Sequence, residues 1–316
     1  MKKILMGYNF KREGFVFLED KFEVIYPEKE SFSLAEIIDR IVDVDVLVPS
    51  FSYQTDKNII EVGRNLKLIA NFGVGYNNID VDYAASKGIA VTNTPQSVLE
   101  PTAELCFALI LAAARKVAYF NHKLHNGIRV DWSLYGELGM SLYGQTLGIY
   151  GMGRIGQAVA RRAVASGMKI IYHNRSRLPK EIEDRYNAEF VDFDTLLTAS
   201  DVITLNAPYT SETYHLMGEA EFRKMKNTAI LVNTARGPLV DDEALIYALK
   251  MGEIYAAGLD VYPNEPKIPE GYFELDNVVL CPHAGTKTLA ARIDMAAEVT
   301  KNIINFFEGG EINKVN

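Results

Sequence analysis

Short apolar runs alternate with amphipathic stretches along nearly the whole chain. Residues 1–8, 22–26, 44–48, 66–69 and 90–91 read as strands. Between them lie helical patterns at 34–42, 57–62 and 82–86; in the first, Ile37, Ile38 and Ile41 share a face and Ser33 is placed to cap it. Residues 101–125 read as one long helix with Pro101 in its first turn, where a missing N–H costs nothing. An irregular stretch at 132–143 follows. Strands then recur at 146–150, 169–172, 202–205, 229–233, 256–261 and 278–280, and helices at 193–197, 219–225 and 241–250. A last helix, 287–308, is expected to return to the first unit, which makes that unit discontinuous. Strands alternating with helices predict an α/β chain with parallel sheets and crossover helices.

One stretch organises the rest. After the strand at 146–150 come Gly151, Met152, Gly153, Arg154, Ile155 and Gly156, a G-x-G-x-x-G sequence. Ile155, Val159, Ala160 and Ala163 then recur at helical spacing, Gly167 stops the helix, and the next strand begins at Lys169. Strand, glycines, helix and strand in this order predict a dinucleotide site. Gly151 serves the tight turn, Gly153 the close approach of a pyrophosphate, and Gly156 the packing of helix on strand. The helix N-terminus offers free N–H groups and the positive end of its dipole.

An NAD site calls for Asp or Glu about 20 residues past the glycines, bonded to a ribose hydroxyl. This chain has His173, Asn174, Arg175, Ser176 and Arg177 there. Two guanidinium groups and no carboxylate suit a 2′-phosphate, which an acid would repel and arginine forks grip. The residues thus favour NADP(H), with NAD(H) kept open.

Composition narrows the class. The 316 residues suggest two domains, and 48 % hydrophobic with 23 % charged residues is ordinary for a globular enzyme. A net charge of −8 argues against nucleic acid as the main partner. Cys106 and Cys281 are the only cysteines, too few for a disulfide framework or a zinc site, and no metal is expected. The first residues carry two lysines, but their apolar run is too short for a signal peptide, and the run at 106–114 is too short to span a bilayer. A soluble cytoplasmic protein is expected, bound to neither membrane nor nucleic acid.

In a doubly wound sheet ligands lie outside the carboxyl ends of the strands. The polar residues at these ends include Arg236, Asp260, Glu265 and His283. Singly, Arg236 reads better as a salt bridge, Glu265 as a solvated acid and His283 as a structural histidine. Together, beside a dinucleotide motif, they favour an active site.

At this point the chain resembles the D-isomer-specific 2-hydroxyacid dehydrogenases over nearly its full length. The resemblance rests on the runs at 73–80, 151–156, 233–237 and 258–262, on Glu265-Pro266 and on Pro282-His283. Within the family, Asn174-Arg175-Ser176 is most similar to NADPH-preferring glyoxylate and hydroxypyruvate reductases. The resemblance implies two Rossmann-like or flavodoxin-like parallel-sheet domains with a cleft between them. The substrate domain would comprise 1–98 and 288–316, the dinucleotide domain 99–287, and two copies would form a homodimer clasped through the latter. By position, Arg236 would hold the substrate carboxylate and reacting carbonyl, and the N–H groups of Val74 and Gly75 the other carboxylate oxygen. His283 would protonate the carbonyl oxygen, with Glu265 orienting it. The resemblance places the cofactor's pyrophosphate at Arg154 and Ile155 and its adenosine end at Asn174, Arg175 and Ser176. It also assigns Thr102 to the cofactor and sets Thr234 and Asp260 near the nicotinamide. Glu100-Pro101 departs from the small polar residues of many relatives, a change placed at the expected hinge.

These residue types suit the chemistry. Hydride addition to a 2-oxo acid builds an alkoxide, which needs a donor that titrates near neutrality. The expected activity is reduction of glyoxylate, hydroxypyruvate or a similar 2-oxo acid to the D-2-hydroxy acid. Other substrates remain open: phosphoglycerate, a bulky apolar 2-oxo acid, or formate. Substrate size depends on loops such as 50–55 and 132–139, where Phe51, Tyr53, Trp132 and Tyr135 either line a pocket or simply pack. A nucleotide-sensing binding protein on the same fold is the reading from a different class.

Overall fold

The computed structural model describes residues 1–51 and 53–316; Ser52, inside the loop at 50–55, lies outside the described residues. The chain divides into two compact units, Met1–Val98 with Thr286–Asn316, and Leu99–Gly285.

The first unit carries β1 (Lys3–Met6), β2 (Glu23–Ile25), β3 (Val46–Val48), β4 (Leu68–Ala70) and β5 (Ala90–Thr92). They pair in parallel in the order β2-β1-β3-β4-β5. Alternation along β1 explains the layers. Ile4 and Met6 face the helix Leu289–Glu308 through Met295, Ala296, Val299 and Ile303. Leu5 faces the opposite layer with Leu47, Ile69 and Val91, where Ile37, Ile59 and Ala84 come from three short helices. The helix Leu34–Arg40 starts at Ser33 with a full capping box: the Ser33 side chain accepts from Glu36 N–H, and the Glu36 carboxylate accepts from Ser33 N–H.

The second unit carries β6 (Thr146–Tyr150), β7 (Lys169–His173), β8 (Ala188–Phe190), β9 (Val202–Leu205), β10 (Ile230–Asn233), β11 (Ala256–Leu259) and β12 (Val278–Leu280). All seven are parallel, in the order β12-β11-β10-β9-β6-β7-β8. The winding reverses between β6 and β9, the switch point at which such sheets bind ligands. β9, β10 and β11 are buried along their whole length, as strands covered on both faces must be.

Two differences from the sequence reading stand out. The expected single helix at 101–125 is two helices, Leu99–Ala114 and Val117–His125. Lys116 between them has φ 53°, a left-handed conformation that turns the chain out of helix. And the helix Lys180–Tyr186 with β8 behind it gave no apolar signal; its most buried residue is an acid, Glu183.

Glu100 has a partner inside this unit. Its Oε2 accepts from Arg161 at 2.6 Å and Arg162 at 2.8 Å, tying the helix Leu99–Ala114 to the helix Arg154–Ala165 that follows the glycines.

Candidate active site

The glycine turn is shaped as a cradle. Gly151 has φ 90°, and a Cβ there would stand 2.7 Å from the Ala207 nitrogen. Gly156 packs onto the Gly151 carbonyl, where a Cβ would stand 2.5 Å from the oxygen. A Cβ on Gly153 would meet no heavy atom within 4 Å, so this glycine opens the turn to solvent just before the helix Arg154–Ala165. Arg154 is exposed and Ile155 half-buried at that first turn. Glycines tight on two sides and open on the third fit a dinucleotide pyrophosphate.

The end of β7 is stitched to this turn. Gly151 N–H donates to the His173 carbonyl at 2.9 Å, and Met152 N–H donates to Asn174 Oδ1 at 2.7 Å. Asn174 therefore acts on the protein's own turn. Arg175 and Ser176 are exposed. Arg177, read from sequence as a second phosphate fork, is exposed and has an acid partner: its Nε and Nη2 donate to the Glu183 oxygens at 2.8 and 2.9 Å.

Arg236 sits just past β10. Its turn is clamped by the buried Asn233, whose side chain accepts from Ala235 N–H at 3.0 Å and donates to the Arg236 carbonyl at 2.9 Å. Burial pushes the Arg236 guanidinium down from its ordinary value, and nearby Glu265 opposes that push. Thr234 beside it is buried. Gly237, next along, approaches Tyr262 so closely that a Cβ would overlap the Tyr262 carbonyl carbon. The turns after β10 and β11 thus meet backbone to backbone.

Glu265 lies on the second of these turns. Its Oε1 accepts Tyr262 N–H at 2.9 Å and its Oε2 faces His283 Nδ1 at 2.6 Å. Burial works against the charged carboxylate, but the His283 and Tyr262 hydrogen bonds and the Arg236 charge outweigh it and hold the carboxyl below its usual range. With an ionised partner on Nδ1, that nitrogen carries the proton and donates, which sets the tautomer.

His283 follows β12 in a left-handed conformation, φ 51°. Asp260 supports it. The Asp260 carbonyl accepts His283 N–H at 2.7 Å, and its carboxylate accepts Ala284 N–H at 2.6 Å and Gly285 N–H at 2.9 Å. Asp260 is 1 % exposed, and burial raises its carboxyl from the ordinary value against these two N–H donors. Sequence placed Asp260 near the nicotinamide; the structure commits both its oxygens to the turn that carries His283. Thr102 is buried beside Gly285.

In the first unit, the loop after β4 is held from its carbonyl side. Asn71 Nδ2 donates to the Gly73 and Gly75 carbonyls at 3.0 and 2.8 Å, and Asn93 Nδ2 donates to the Val74 carbonyl at 2.9 Å. The sequence assigned no role to Asn71, Asn93 or Asn233, although all three lie at or just past a strand's carboxyl end.

Glycine cradle, clamped arginine and acid-oriented histidine all follow the carboxyl ends of strands in one parallel sheet, β6, β10, β11 and β12. Residues 107–285 match the model of the D-isomer specific 2-hydroxyacid dehydrogenase NAD binding domain. The chain belongs to the D-isomer specific 2-hydroxyacid dehydrogenase family. It is 45 % identical to a glyoxylate reductase of Thermococcus litoralis, over 97 % of this chain and 94 % of that one. A glyoxylate reductase of Pyrococcus horikoshii is 43 % identical over 97 % of this chain and 93 % of its own. Among solved structures, an NADPH-dependent glyoxylate/hydroxypyruvate reductase of Sinorhizobium meliloti in complex with NADP and malonate superposes with a TM-score of 0.87 at 31 % identity, covering 99 % and 96 % of the two chains. The family makes this protein an NAD(P)-dependent oxidoreductase acting between 2-oxo acids and 2-hydroxy acids. Among the described residues no helix is long and apolar enough to cross a membrane, and no group of His, Cys, Asp and Glu is arranged to hold a metal.

Proposed function

We propose that this protein reduces a small 2-oxo acid, glyoxylate or hydroxypyruvate, to the D-2-hydroxy acid, with NADPH preferred to NADH. The observation that carries the reaction is the 2.6 Å pair of His283 Nδ1 with Glu265. It leaves Nε2 as the second donor of a histidine oriented by a carboxylate. A nicotinamide cofactor bound at the glycine turn would supply the hydride. As the carbonyl carbon is reduced, negative charge grows on its oxygen, and His283 delivers a proton there from Nε2. Arg236, on a clamped turn, offers a planar two-pronged donor to the substrate carboxylate and the carbonyl oxygen. The loop of Val74 and Gly75 keeps the role given by the resemblance, two N–H donors for a carboxylate oxygen.

NADPH preference is supported by the end of β7, where Arg175 is exposed and residues 173–177 contain no acid. The related reductase of Sinorhizobium meliloti is NADPH-dependent, which supports the same preference. A homodimer is supported by the exposed segment at 128–143: Trp132, Leu134 and Tyr135 are each more than four-fifths exposed, an apolar stretch that calls for a cover. The protein is expected to work in the cytoplasm.

Initial rates of NADPH and NADH oxidation, each with glyoxylate and with hydroxypyruvate, test this reading. Turnover with kcat/KM for NADPH well above that for NADH is expected. Preference for NADH would overturn the cofactor assignment; no turnover with either acid would overturn the substrate assignment.

A further inference from the structure

The helix Lys180–Tyr186 takes no part in the reaction, yet its Glu183 is a carboxylate only 3 % exposed. What it holds explains why an acid is buried there. Arg177 donates to both of its oxygens, from Nε at 2.8 Å and Nη2 at 2.9 Å. Tyr172, the fully buried penultimate residue of β7, donates its hydroxyl to Glu183 Oε1 at 2.8 Å and accepts Leu178 N–H at 2.9 Å. At the other end of the same loop, Asn174 Oδ1 accepts Met152 N–H of the glycine turn at 2.7 Å. The loop 174–178 is thus pinned at both ends, with Arg175 and Ser176 exposed between the pins and Arg177 exposed although paired.

We propose that Glu183 is the positioning residue for cofactor choice: by holding Arg177 it fixes the loop so that Arg175 alone supplies the guanidinium for the 2′-phosphate. The inference rests on the NADPH reading above. The pair takes the Nε and one Nη2 N–H of Arg177 and neutralises its charge with the Glu183 carboxylate, which weakens its pull on a phosphate. It also keeps a buried negative charge from facing a phosphate dianion unscreened. The Arg177 and Tyr172 hydrogen bonds hold the Glu183 carboxyl at about 2, so the pair is ionised at every pH at which the enzyme would be assayed.

Three substitutions, read together, decide between this role and the direct role that sequence suggests for Arg177. In Glu183→Gln, the amide NH₂ faces the arginine donors and the fork is lost. If Glu183 positions the loop, KM for NADPH rises about fivefold or more, as expected for losing a charge-assisted pair, while kcat at saturation and KM for NADH move much less. Arg177→Gln has the same effect, the double variant is no worse than either single one, and Arg175→Ala raises KM for NADPH furthest. If Arg177 is itself the phosphate ligand, Arg177→Gln raises KM for NADPH at least as far as Arg175→Ala does; that result, or a KM for NADPH that falls in Glu183→Gln, overturns the proposal. So does a Glu183→Gln enzyme whose two KM values rise together, since this marks a structural role only. NADH kinetics on each variant report folding independently of the phosphate. Wild-type enzyme that prefers NADH would instead overturn the cofactor reading itself, whatever the variants do.

Discussion

The backbone of Gly237 lies against that of Tyr262 with no room for a side chain between them. This contact sets the turn bearing Arg236 beside the turn bearing Glu265. A methyl group at this glycine must push the two turns apart. Gly237→Ala should cost about 1–3 kcal/mol, the usual penalty of overpacking, measured by denaturant titration. It should also lower kcat/KM by more than tenfold. Full activity in a stably folded variant would show that the spacing of these turns is immaterial.

Asp260 holds the other side of the site. Asn in its place keeps one acceptor but turns an NH₂ toward an N–H, leaving a buried donor unpaired. Asp260→Asn should destabilise by about 1–3 kcal/mol. Because His283 sits at φ 51°, outside the ordinary regions, its backbone should relax once the latch is gone, and kcat should fall more than KM for the 2-oxo acid rises. A purely structural Asp260 would lose stability with kcat unchanged.

Glu265 gives a pH-dependent signature. Its carboxyl titrates below the ordinary range in the folded protein, so it favours folding when ionised. That contribution is complete above the unfolded carboxyl value, about 4.3, and is lost as pH falls through the lower folded value. The melting-temperature gap between wild type and Glu265→Gln should therefore hold steady from neutrality to mildly acid pH and close below the ordinary carboxylate range. A gap that widens on acidification would reverse the sign and refute the pairing.

Arg236→Lys replaces a planar fork by a single ammonium. One hydrogen bond to a charged group is lost, about 1.5–3 kcal/mol, so kcat/KM for glyoxylate should fall by roughly 10–150-fold with the fold intact by circular dichroism. Undiminished kcat/KM would remove Arg236 from the substrate site.

Much of this was legible in the sequence, for identifiable reasons. β6 and β9 begin and end where their mainly apolar runs do, because central parallel strands covered on both faces are chiefly apolar. The glycine turn showed itself because a close approach demands glycine. The break at Lys116 was hidden: neither Gly nor Pro marks it, and a lysine takes the left-handed position. The helix Lys180–Tyr186 was hidden because Glu183 anchors it through charge, which hydrophobic periodicity does not record. For the same reason sequence named Arg175 and Arg177 as equals. Residue type showed two guanidinium groups, and only geometry shows one of them held by a buried acid. Asn71, Asn93 and Asn233 act by gripping backbone, a role that leaves no pattern in the chain.

The most direct test of the account is the rate of glyoxylate reduction by His283→Ala beside wild type, at saturating NADPH and with folding verified by thermal melting. A general acid oriented by Glu265 should be worth about 10²–10⁴-fold in kcat, and the variant should show that loss. A His283→Ala enzyme within about threefold of wild type, well short of the range for a general acid, would contradict the assignment of proton delivery to this residue.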